Sequence, residues 1–131
     1  MAERYRANYA VVPVLEHLGP TPDTLGIPWA EFTGDQSSRQ EFTVPVADVV
    51  DPYIELQAYD VGEYGHEIAV NDEPLSGFDI PPADGWQYWF DAITDQELQS
   101  GTNTIEVRRD TSTTDAFAIG NLVVHWKEPV E

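Results

Sequence analysis

Trp89 stands between Gln87 and Asp91 in the stretch GWQYWFDAI (residues 85–93). Residues two apart share a face of an extended strand. An indole between an amide and a carboxylate on such a face can stack on a sugar ring while its neighbours take the hydroxyls. The competing reading covers Trp89 with a loop, the N-terminal segment or another subunit. A second candidate is DVGEYGHE (60–67), a glycine-flanked loop carrying Tyr64 and His66. An aromatic at a loop tip is well placed to touch a ligand. The plainer alternative is a strand connection with His66 as a partly exposed strand residue. The expected ligand-contacting residues are therefore Trp89, Tyr64, His66, Gln87 and Asp91.

Other chemistries find few residues. His17, His66 and His125 are scattered, with no HxH pair, HExxH or EF-hand spacing, so no metal and no cofactor are expected. Asp51, Asp60, Asp110 and Asp115 could share a calcium ion, but in so acidic a chain carboxylates meet by chance. The serines lack a nucleophile-elbow motif and an evident base. Nothing selects a pair of carboxylates for glycoside hydrolysis. The absence of cysteine excludes disulfides, thiolate nucleophiles and zinc-thiolate sites. The expectation is a protein that is not an enzyme.

The elements that must carry these residues read as strands. RANYAVVPV (6–14), RQEFTVPV (39–46), PYIELQAYDV (52–61), GHEIAV (65–70), GWQYWFDAI (85–93), NTIEVRR (103–109) and AFAIGNLVVHWK (116–127) are short, β-branched or aromatic, and often alternating. The last is expected to bulge at Gly120. Gly, Pro, Asn and Asp separate them, which is the pattern of an all-β sandwich or barrel. Asn71-Asp72 suits a tight primed hairpin turn. TDQELQSG (94–101) predicts one short turn of helix near 94–100, with Thr94 as N-cap and Gly101 as stop. In the aromatic strand, an inward Phe90 carries Tyr88 and Trp86 inward with it and turns Gln87, Trp89 and Asp91 outward. The expected core is Trp86, Tyr88, Phe90, Leu56, Ile68, Val70, Ile105, Val107 and Leu122.

The 131 residues fit one domain, and a chain of this size buries enough surface to fold without a metal or disulfide. Its strongest global feature is charge: 24 acids against 6 Lys and Arg, a net −18. Nucleic acid and anionic membranes are excluded as partners, because both need basic surface. The acids run along the whole chain. Scattered over about 7,000 Å², they have nearest neighbours roughly 8–9 Å apart. The Debye length is about 8 Å at 0.15 M salt and about 3 Å at 1 M, so their repulsion nearly vanishes in molar salt. This balance predicts adaptation to high salt, in a haloarchaeal cytoplasm. MAERYRANYAVVPVLEHLGP lacks the apolar run of a signal peptide and carries Glu3, Arg4, Arg6 and Glu16. No segment approaches 18 apolar residues, so no membrane span is expected, and the location is read as cytoplasmic.

The order of motifs adds a resemblance. YIELQAYDV is followed by IAVNDEPL, a loop closing on Trp86, an aromatic strand, ELQSGTNTIEV, and a final apolar strand. Over residues 39–127 this resembles galactose-binding-like jelly-roll domains, the β-sandwich of many carbohydrate-binding modules. Leu98, Gly101, Asn103, Ile105 and Val107 match the second motif; Asp72 departs from the usual glycine. The chain is also similar to a family of short uncharacterised haloarchaeal proteins. The resemblance implies a single β-sandwich domain over 1–131, a jelly roll of about eight strands, and glycan binding; some members of that fold hold a structural calcium. Leu98 should anchor a turn, Gly101 should supply left-handed backbone, and Asn103 should bond its own loop. The expected function is a non-catalytic binding module for a carbohydrate or glycosylated partner. The alternative is an assembly subunit that pairs with a protein partner or with itself as a homo-oligomer.

Overall fold

Short alternating runs become strands where turn residues interrupt them. The computed structural model describes residues 4–75, 80–93 and 98–130. Within these residues lie β1 (Arg4–Val12), β2 (Glu16–Leu18), β3 (Glu31–Gly34), β4 (Gln40–Val44), β5 (Val50–Val61), β6 (Glu67–Val70), β7 (Glu73–Pro74), β8 (Ala83–Ala92), β9 (Gly101–Arg108) and β10 (Phe117–Val130). Seven of them coincide with predicted strands. β2, β3 and β7 exceed the predicted number; each has four residues or fewer, too short for alternation to register. The predicted helical turn rests on residues 94–97, which lie outside the described residues; Leu98, Gln99 and Ser100 are not helical.

Two sheets face each other across one core, so the fold is an all-β sandwich. The larger sheet has six strands in the order β3-β2-β10-β5-β8, with β1 also paired to β10. The smaller is β4-β9-β6-β7. Inward residues of the larger sheet, such as Val12, Ile54, Leu56, Leu122 and Val124, meet Phe42, Val44, Ile68, Val70, Ile105 and Val107 of the smaller. The folded chain exposes 7193 Å², close to the area expected for its mass, and Glu16, Glu106 and Glu128 are buried rather than spread over that surface.

The turn chemistry follows the sequence closely. Val70 pairs with Glu73, leaving Asn71 and Asp72 as a two-residue turn with φ of 51° and 72°. Two positive φ values define the primed turn that matches strand twist. Asp therefore fills the usual glycine position, and its carboxylate is bound by Arg39. β10 bulges where predicted: Ile119 pairs with Ala58 but Leu122 with Leu56, three residues against two. At Gly120 a Cβ would stand 2.8 Å from Gln57 Oε1 and 3.1 Å from the Trp86 ring, so any larger residue would have to displace Gln57 and crowd Trp86. Leu98 is buried, Gly101 has φ +94°, and Asn103 bonds the loop before it, as expected.

The phase of β8 is the main correction. Leu56, Ile68, Val70, Ile105, Val107 and Leu122 are buried as predicted, but Trp86, Tyr88 and Phe90 are exposed. Cross-strand partners share a face. Leu56 pairs with Trp89 and points inward, so Trp89 points inward and packs against the core. Gln57 pairs with Tyr88 and points outward. Both faces of β8 are aromatic, so its own alternation is silent. The register with β5 decides.

Candidate functional site

The outer face of the six-stranded sheet gathers the aromatics. β5 sends Tyr53, Glu55, Gln57 and Tyr59 outward because its alternate residues Ile54, Leu56 and Ala58 are fully buried. Pairing then sets Trp86 beside Tyr59, Tyr88 beside Gln57 and Phe90 beside Glu55. Trp86, Tyr88 and Phe90 are 49%, 65% and 61% exposed, unusual for side chains of this size. Trp29, from the β2–β3 connection, leans over one end, its ring 5.1 Å from Tyr59 and 5.6 Å from Trp86. At the other end Tyr53 stacks on His125 at 4.5 Å and 8°. Tyr9 and Val11 extend the face onto β1.

Polar groups punctuate this surface. Gln57 Nε2 donates to the Tyr88 hydroxyl at 3.1 Å, and Gln57 Oε1 accepts from the Asn121 amide at 3.2 Å. Glu55 Oε1 lies 2.9 Å from His125 Nε2, an ion-pair distance without hydrogen-bond alignment. A shallow opening of about 380 Å³ borders Tyr53, between Asp51, Pro52, Ala92 and Ile93. The arrangement can stack flat rings and exchange a few hydrogen bonds along an open face.

The predicted site residues divide into two groups. Trp89, Gln87 and Asp91 share the inner face of β8, which corrects their predicted outward placement. There Gln87 Nε2 donates to the Pro81 carbonyl at 2.7 Å, and Asp91 Oδ1 accepts from the Ala92 amide at 2.8 Å. Tyr64 is 61% exposed on the β5–β6 loop, as predicted. His66, expected to be partly exposed, is fully buried and lies against Phe117 with ring centroids 4.3 Å apart. Its Nδ1 accepts the Asp110 amide at 2.9 Å, so Nε2 carries the proton shared with Asp115 at 2.7 Å. Asp115 also accepts amides from Gly62 and Glu63. The His–Asp pair thus ties the β5–β6 loop to the β9–β10 loop.

The remaining acids near these loops are similarly engaged. Asp110 is held below the ordinary carboxylate range, first by the Ser112 hydroxyl and then by its amide. Asp60 accepts the Gly85 amide at 2.6 Å. His17 is buried in β2, where desolvation lowers its pKa. Among the described residues, no three His, Asp or Glu side chains gather where they could hold a metal.

Sequence reasoning missed Trp29, Tyr53, Trp86, Tyr88 and Phe90 as surface residues. The available signal was the polar Glu55–Gln57 side of β5. It becomes informative only once β8 is known to lie beside β5.

No curated protein and no solved structure matches the chain. A family model does match it over residues 6–128, nearly its whole length. The chain with this aromatic sheet face belongs to DUF7383, a family of unknown function.

Proposed function

We propose that this protein is a non-catalytic binding module that takes a carbohydrate or glycosylated partner across the outer face of its six-stranded sheet. The observation that carries this reading is the exposed row Trp86, Tyr88 and Phe90 on one strand, backed by Gln57 and Glu55. Aromatic faces stack on the apolar faces of sugar rings, and amide and carboxylate neighbours take hydroxyls. A net charge of −18 repels anionic polymers, so the favoured glycans are neutral. The resemblance to galactose-binding-like domains points the same way, although a fold alone does not assign a ligand.

The test is a glycan array followed by affinity electrophoresis with neutral polysaccharides in molar KCl. Phe90→Ala should weaken binding by at least about tenfold. Because the ring is exposed, the same change should alter unfolding free energy by less than about 1 kcal/mol. Failure of every neutral glycan to bind would overturn the reading. So would undiminished binding by Phe90→Ala and Trp86→Ala.

The module is further read as halophilic, a reading that rests on its charge. Stability should rise by roughly 2–4 kcal/mol between about 0.1 and 2 M KCl as screening removes acid–acid repulsion. Thermal melts across that range measure the rise. A salt-independent melting temperature would remove the halophilic reading and leave the glycan reading in place.

A further inference from the structure

β8 is an end strand of the six-stranded sheet, and among the described residues β5 is the strand it pairs with. Which of its backbone groups face away from β5 follows from two hydrogen bonds. The Ile93 amide donates to the Pro52 carbonyl at 2.8 Å, and the Gly85 amide donates to Asp60 Oδ1 on β5. In an antiparallel pair the hydrogen-bonding direction alternates residue by residue. Gly85, Gln87, Trp89, Asp91 and Ile93 therefore direct their amides and carbonyls to β5. Trp86, Tyr88, Phe90 and Ala92 direct theirs to the open edge.

Native edges are usually blunted by Pro, Lys, bulges or charge, because an open row of amides and carbonyls templates another strand. β8 carries such devices only toward its ends. Asp91 Oδ1 already occupies the Ala92 amide. Gly85, with φ +72°, breaks regular pairing at the other end. Between them Trp86–Phe90 contains no charge, no proline and no glycine. The open segment is centred on Tyr88.

That segment is complementary to itself. About a two-fold axis at Tyr88, Trp86 lies opposite Phe90 of the other copy, and Tyr88 lies opposite itself. All three pairs join residues that face the edge. Asp84 then lies opposite Ala92 and Asp91 opposite Gly85, so no carboxylate of β8 meets another. Moving the axis by half a residue sets Asp84 directly against Asp91 and mismatches the edge-facing residues.

We propose that β8 pairs antiparallel with β8 of a second copy of this chain about a two-fold axis at Tyr88, joining two six-stranded sheets into one. The interface forms about six backbone hydrogen bonds, two for each edge-facing pair. It sets the aromatic rows of both copies side by side on one outer face. The inference goes beyond the glycan reading and stands without it, because the edge is backbone and the aromatic rings remain on the sheet face. Two copies of charge −18 repel, so association should strengthen with salt.

Analytical ultracentrifugation in about 2 M KCl, where the Debye length is below about 3 Å, tests this directly. Wild type should sediment as a dimer that dissociates as salt falls. Tyr88→Pro removes an amide that faces the edge and spares those bonded to β5, so it should raise the dimer dissociation constant at least about tenfold. A circular dichroism melt checks that the variant is folded. A second measurement uses the lack of cysteine in the chain. Tyr88→Cys should cross-link to itself through a short bis-maleimide, since paired Cα atoms lie about 5.5 Å apart. Ala92→Cys should not, since two copies of residue 92 lie about 27 Å apart in this register. A monomer at every salt concentration, a dimer that folded Tyr88→Pro preserves, or equal cross-linking of both cysteine variants would each overturn the proposal.

Discussion

Leu56→Ala should lower the unfolding free energy by about 2–5 kcal/mol, through lost transfer energy and the cavity left behind. Leu56 is fully buried on the central face of β5, between Leu122 on β10 and Trp89 on β8. Both neighbours belong to ladders that fix their positions, which limits collapse into the space. Trp89→Ala should also destabilise, whereas Tyr88→Ala, one residue away, should cost less than about 1 kcal/mol. Urea denaturation of the three variants measures the contrast. Equal losses for Trp89→Ala and Tyr88→Ala would mean that β8 does not hold this phase, because a slip of one residue exchanges the two faces.

Asn103→Leu should cost about 3–5 kcal/mol, because it leaves several buried polar groups without partners. The side chain is fully buried. Its Oδ1 accepts from the Gln99 amide at 2.9 Å and from Asn71 Nδ2 at 3.0 Å. Its Nδ2 donates to the Gln99 carbonyl at 2.8 Å and the Gly101 carbonyl at 3.2 Å. One amide thus closes the turn before β9 and holds the β6–β7 hairpin, where Asn71 Oδ1 accepts the Thr104 amide. Leucine has nearly the same size but neither donates nor accepts. Asn103→Asp should also destabilise, since a carboxylate would face two carbonyls. Equilibrium unfolding in urea at fixed KCl measures both variants. A loss below about 0.5 kcal/mol for Asn103→Leu would show that the loop holds itself without this residue.

The two predictions differ in how readable they were. Asn103 stands in a local motif, L-x-x-G-x-N-x-I-x-V, whose members lie within reach of one another along the chain. Its role was legible because an Asn side chain naturally competes for nearby backbone groups. Its bond to Asn71 was not legible, since that depends on β6 lying beside β9. Leu56 was legible because β5 alternates strictly between apolar and polar residues. β8 has aromatics on both faces, so hydrophobicity ranked its two faces nearly equal, and the polar pair Gln87 and Asp91 pointed to the wrong one. His66 misled differently: a histidine in a glycine-rich loop reads as exposed, yet Asp115 and the Asp110 amide satisfy both ring nitrogens inside the fold.

By itself, the sequence determined the all-β class, most of the strands, the Asn71-Asp72 turn, the bulge at Gly120 and the net charge of −18. Each of these follows from residues adjacent in the chain or from composition, where propensity and turn chemistry act locally. Only the tertiary structure decided which aromatics face solvent. It alone paired β8 with β5 and, among the described residues, with no second strand along Trp86–Phe90. The reason is physical. A strand's two faces are exchanged by a single-residue shift in register, and register is set by the partner strand across the sheet. Which aromatics form the outer face of the six-stranded sheet is therefore a property of pairing, not of any one segment.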